Sequence, residues 1–230
     1  MANMDQFPGT SGAQRAPLRG AVISAVLLVL VACGGTPSLS PSNVNPPVVT
    51  PIVVALGDSL TAGPGLRQEE AYPAVLQERI RSAGYPHRVV NAGVSGDTSA
   101  DALRRLEAAL VPDTAVLIVA VGANDGLRNV PVATIRENVS AIIDRAQSRG
   151  VKVLLCGMET PPVHGWQYTV DFHRIFPDLA AKHSVPLMPF LLWGVAGDPE
   201  YNLGDRVHPN AAGMRVIANT MWPYLEPLLR

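Results

Sequence analysis

From Ile52 onward the chain alternates short apolar runs with longer amphipathic stretches, and this rhythm restricts the fold more than any other feature of the sequence. Apolar runs at 52–56, 88–91, 115–121, 151–156 and 186–190 read as strands, and the stretches 71–83, 100–110, 132–149, 169–183 and 209–225 read as helices. A strand that returns parallel to its predecessor needs a crossover, which a helix supplies. Near-continuous apolar strands bury both faces. The expectation is therefore an α/β domain with a five-stranded parallel sheet between helices, without internal repeats. Cys156 falls inside the fourth run and reads as a small buried hydrophobe rather than a reactive thiol.

The first 51 residues are of another kind. Arg15 and Arg19 precede an apolar run from Ala21 to Val31, and Ala32, Cys33, Gly34 and Gly35 follow it. This is a secretory signal pattern, and the run falls short of the roughly 20 residues that span a bilayer. Leu30-Val31-Ala32-Cys33 resembles a bacterial lipobox, which implies cleavage before Cys33 and its acylation. Several acyl chains on one residue make a stable membrane anchor. Gly34 in place of an aspartate implies, by the same resemblance, the outer membrane of a bacterial envelope, with the domain facing the periplasm. Pro37, Pro41, Pro46, Pro47 and Pro51 then make a polyproline-rich tether. The expected division is a signal peptide at 1–32, lipidated Cys33 and tether at 33–51, and a folded domain at 52–230. The chain of 230 residues carries a formal net charge of −1 with no long run of either sign, so nothing in it recruits nucleic acid electrostatically. Its two cysteines make no disulfide framework.

If parallel strands end on one edge, a site there should draw one residue from the end of each strand. After the first run stands Gly57-Asp58-Ser59-Leu60, which offers Ser59 as a nucleophile, although Asp58 and Ser59 could equally cap the following helix. After the second comes Asn91-Ala92-Gly93-Val94-Ser95-Gly96-Asp97-Thr98, where Gly93 could bring a backbone N–H close to a ligand. After the third comes Gly122-Ala123-Asn124-Asp125-Gly126, with Asn124 as an amide donor or a helix cap. Beyond the fifth lies Asp205-Arg206-Val207-His208-Pro209. Its spacing lets Asp205 reach Nδ1 of His208 while Nε2 faces outward, with Pro209 opening a helix.

Together these four blocks resemble the GDSL or SGNH hydrolase family, over the whole stretch from Ile52 to the C-terminus. The resemblance implies a three-layer, flavodoxin-like α/β fold and a serine esterase acting through an acyl-enzyme. It makes Ser59 the nucleophile, His208 the base, Asp205 its orienting acid, and the N–H groups of Ser59 and Gly93 with the Asn124 amide the oxyanion hole. Val94 to Thr98 and Gly157 to Pro162 resemble the arylesterases, acyl-CoA thioesterases and lysophospholipases of the family. Substrates would be small acyl or aryl esters, thioesters or lysolipids, handled by a monomer without cofactor or metal. The elbow GxSxG is absent, since Thr61 stands where its second glycine would be.

Two apolar loops could hold the acyl or aryl group: one with Trp166 and Tyr168, the other with Leu191, Leu192 and Trp193. These side chains could instead close the core. A carbohydrate acetylesterase and a lipid-anchored protein that holds acyl chains without cleaving them are the rival readings. His87, His164, His173 and His183 are scattered without metal-site spacing, and Asn138-Val139-Ser140 is a glycosylation triplet inside an expected helix.

Overall fold

The computed structural model describes residues 49–230, so the expected signal peptide, Cys33 and most of the tether lie outside the described residues. β1 (Ile52–Gly57) is buried along its whole length, as a run of branched residues enclosed on both faces should be. It passes through Asp58 into a one-turn α1 (Ser59–Ala62), and α2 (Tyr72–Ser82) carries the chain back to β2 (Arg88–Gly93). α3 (Ser99–Ala109) leads to β3 (Thr114–Ala120); α4 (Ala123–Leu127) and α5 (Val132–Ser148) lead to β4 (Lys152–Cys156). α6 (Trp166–His173) and α7 (Ile175–His183) precede β5 (Leu187–Met188), and α8 (Ala211–Leu225) follows.

All four strand pairings are parallel, in the order β2-β1-β3-β4-β5. The chain leaves β1 for one neighbour and later crosses to the other, so the loops after β1 and β3 part and leave a crevice at their carboxyl ends. Register sharpens this point. Gly57 lies opposite Gly93 on one side and Ala120 on the other, and three strands finish level at one edge. α2 packs on α8, while α3, α5 and α7 pack in sequence. Leu76 and Ile80 of α2, Ile217 and Met221 of α8, and Leu106, Ile135, Ile142 and Phe176 of the other group are buried in the core.

The expected architecture holds, with local differences that have physical reasons. The single helix expected at 169–183 is two helices meeting at Arg174. Pro177 has no N–H to give the carbonyl one turn back, so it is tolerated in the first turn of α7 but not in the interior of a longer helix. Pro209 does not open α8. It pairs with Asn202 in an antiparallel bridge, and Asn210 caps the helix by accepting from the N–H groups of Ala212 and Gly213. β2 is an edge strand and only half-buried, so it is not enclosed on both faces as expected. Cys156 is fully buried, and burial pushes its thiol pKa up, out of the reactive range.

Candidate active site

The turn after β1 is built from backbone contacts that tolerate little side chain. A Cβ on Gly57 would stand 1.9 Å from Thr61 Oγ1, so only glycine lets α1 fold back on the strand end. Asp58 caps α1, its Oδ1 accepting from the Leu60 N–H at 3.0 Å. Gly63, at φ 73°, closes the turn in the left-handed region. Ser59 is thus the first helical residue and not the cap. Its Oγ lies 3.0 Å from His208 Nε2, and its N–H has no partner among the described residues.

The loop that carries the histidine is locked at both ends. Asn210 donates to the carbonyls of Glu200 and Asn202, the Leu203 N–H donates to the His208 carbonyl, and a Cβ on Gly213 would meet the Tyr201 carbonyl at 2.2 Å. Within the loop Asp205 Oδ2 stands 2.7 Å from His208 Nδ1, while Oδ1 accepts from the N–H groups of Val207 and His208 at 2.9 Å each. The His208 backbone N–H first, then its side chain and the Val207 N–H, hold the Asp205 carboxyl down at about 2. It is therefore ionised at any working pH, which fixes the proton of neutral His208 on Nδ1 and leaves Nε2 bare toward Ser59. The sequence-predicted Ser59, His208 and Asp205 form one continuous hydrogen-bonded chain.

Asn124 is the second residue of α4, whose cap is Gly122, so the cap alternative for Asn124 does not hold. Its Nδ2 donates to the Asp97 carbonyl at 3.0 Å and to Asp58 Oδ2 at 3.2 Å. Asp58 is fully buried, and the desolvation of its carboxyl pushes its pKa up to about 6. Gly93 is placed differently from expectation. Its N–H donates to Asn91 Oδ1 at 2.9 Å, and the absence of a Cβ serves the approach of Ala62 N, which a Cβ would meet at 2.4 Å. The glycine that sequence reasoning missed is Gly96, three residues on. It sits at φ 86° in the turn closed by the Asp97 N–H on the Val94 carbonyl, next to the carbonyl that holds Asn124. Its N–H has no partner among the described residues. Glycine in a turn was the available signal, and both residues carried it.

Ser59, Asn124 and His208 open onto a cavity of about 640 Å³ lined also by Leu60, Leu127, Pro161, Phe190, Leu192 and Val207. Of the five expected pocket residues only Leu192 lines it. Trp166 is 71% exposed, and Tyr168 turns its hydroxyl to the Val130 carbonyl at 2.8 Å. Leu191 is buried in the core, and Trp193 lies over two neighbouring hollows. Phe190, next to Leu191, and Pro161, five residues before Trp166, reach the cavity in their place. The histidines outside the chain of three have structural partners where they are paired: His173 with Glu159, His183 with Ser140 and Asp144, His164 with the Leu127 carbonyl. Asn138 of the glycosylation triplet donates from α5 to Ser99 Oγ.

The family described as GDSL-like Lipase/Acylhydrolase matches residues 55–216. Esterase TesA of Pseudomonas aeruginosa is 39% identical over 178 residues, covering 77% of this chain and 89% of that protein. Thioesterase 1/protease 1/lysophospholipase L1 of Escherichia coli is 34% identical over 178 residues, covering 77% and 84%. A crystal structure of TesA superposes with a TM-score of 0.73 at 38% identity, covering 77% of this chain and 99% of that one. The chain belongs to the GDSL-like lipase/acylhydrolase family.

Proposed function

We propose that the protein is a serine esterase that cleaves carboxylic ester or thioester bonds through an acyl-enzyme on Ser59. The observation that carries this reading is the unbroken chain from Ser59 through His208 to Asp205, opening on an apolar cavity. His208 Nε2 takes the Ser59 proton as Oγ attacks the carbonyl carbon, and ionised Asp205 stabilises the imidazolium. The oxyanion is met by the Ser59 N–H, the Gly96 N–H and the Asn124 amide, which turns from its longer bond to Asp58. His208 then gives its proton to the leaving group, and water repeats the sequence on the acyl-enzyme. Leu60, Leu127, Pro161, Phe190, Leu192 and Val207 suit an acyl chain, which favours acyl esters over acetylated carbohydrates. The hydrogen-bonded Ser59 likewise speaks against a protein that only holds acyl chains. The names of the relatives, an esterase and a thioesterase with lysophospholipase, support this range of substrates. The domain works at the bacterial envelope, held by acylated Cys33 through its proline tether.

Ser59→Ala is expected to remove nearly all hydrolysis of a short-chain aryl ester and all labelling by a fluorophosphonate, with the thermal midpoint close to that of the parent. Hydrolysis retained in purified variant would defeat the assignment.

A further inference from the structure

Four side chains lining the cavity carry ionisable groups, and three of them are occupied. Asp58 is buried beneath Ser59 and accepts from Leu60 and Asn124; Glu159 is paired with His173 at 2.6 Å; His208 is held by Asp205 and Ser59. The fourth is Arg206. Among the described residues its guanidinium has neither an ion-pair nor a hydrogen-bond partner, while its backbone N–H closes a turn on the Leu203 carbonyl at 2.9 Å. The backbone at Arg206 is unusual as well. Its φ is 59°, in the left-handed region that glycine enters freely and residues with a Cβ enter at a cost. The turn by itself asks for glycine, so the arginine side chain is not there for the sake of the turn.

Position within the loop says which end of a substrate Arg206 faces. His208, two residues on, must direct Nε2 at the leaving-group atom when it returns the proton, and Arg206 lines the same cavity from the same loop. Leu60, Leu127, Pro161, Phe190, Leu192 and Val207 give the cavity an apolar lining that suits the acyl chain. Resting on the esterase reading above, we infer that Arg206 is a specificity-determining residue that contacts a phosphate group borne by the leaving group of the substrate. A guanidinium presents paired N–H donors that match phosphate oxygens and stays charged at any working pH. A phosphate of this kind could belong to a lysophospholipid headgroup or to a nucleotide-bearing thiol such as coenzyme A, and the chemistry is common to both.

The test uses two pairs of substrates with one octanoyl chain, below their aggregation thresholds. The first pair is 1-octanoylglycerol with and without a 3-phosphate. The second is octanoyl-coenzyme A against the octanoyl thioester of N-acetylcysteamine. The readout is the ratio of kcat/KM, phosphate-bearing over neutral, in the full chain and in Arg206→Gln, Arg206→Lys and Arg206→Gly. Effects on the common chemical step divide out of the ratio. Arg206→Gln is expected to lower the ratio about tenfold for at least one pair, as loss of a charge-assisted hydrogen bond should. Arg206→Lys is expected to keep it within about threefold. The pair that responds identifies the source of the phosphate. Glycine accepts the left-handed backbone, so Arg206→Gly should give the same fall in a folded protein. An unchanged ratio in both charge-removing variants for both pairs overturns the inference. Ser59→Ala run beside them separates the two readings: if it still turns over the neutral esters, the esterase assignment fails first.

Discussion

At the scale of single residues, Asp58 is the side chain on which the site makes its largest electrostatic demand. It is fully buried, one residue from Ser59, and its two oxygens are shared between the α1 cap and Asn124. Folding raises its pKa to about 6 because burial disfavours the charged form. The folded state therefore holds the proton more tightly than the unfolded chain, whose aspartates titrate at about 3.9. The stability this contributes is fully present below the unfolded value and is lost as pH rises through about 6. Asp58→Asn titrates nothing, so its stability relative to the parent should climb by on the order of 3 kcal/mol between about pH 4 and about pH 7. The asparagine Oδ1 keeps the bond to the Leu60 N–H, whereas its amide meets that of Asn124. That conflict adds a constant offset and leaves the slope untouched. Urea unfolding of both proteins across this range measures it, and parallel pH profiles would show that Asp58 does not titrate as burial requires.

At the scale of elements, the site is held together by a side chain that never reaches it. Arg105 of α3 donates from Nη2 to the Gly57 carbonyl at 2.9 Å and from Nε to Asp97 Oδ2 at 2.5 Å. It fastens the end of β1 to the turn from Val94 to Asp97, whose last carbonyl orients Asn124. Arg105→Ala should free that turn and lower kcat about 10- to 100-fold with a smaller change in KM, since small displacements of positioned groups are costly. Steady-state kinetics on folded protein decide it, and an unchanged kcat would leave Arg105 a purely structural tie. The strands and the pairing of Asp205 with His208 were legible in the sequence because periodicity and spacing act locally, whereas the link from His208 to Ser59, 149 residues apart, was implied by the family resemblance. The choice between Gly93 and Gly96 was not legible. Gly93 ends β2 and Gly96 lies in the turn just after it, and the parallel pairing that sets Gly93 beside Gly57, under Ala62, is a property of the assembled sheet. Trp166 and Tyr168, which lie in α6, and Leu191 and Trp193 do not line the cavity for the same reason: composition marks a stretch as apolar, but packing decides which side chain turns inward. The split between α6 and α7 is readable in Pro177, which cannot sit in the interior of one long helix.

At the scale of the whole molecule, the proposed attachment through Cys33 makes a prediction that concerns residues outside the described ones. Protein recovered from its native membrane should begin at Cys33, carry acyl chains there, and require detergent for extraction. Intact-mass analysis checks this, and an unmodified Cys33 or another terminus would refute it. Ser59 follows the first strand and His208 lies 149 residues later, beyond the last one. A chain growing from its N-terminus, or threading a membrane in that direction, exposes the nucleophile long before the base exists. Until the final loop has formed and Asn210 has clamped it, Ser59 lacks its base and is an ordinary alcohol. An acyl hydrolase built in this order acquires the base for its nucleophile only when the last loop is in place.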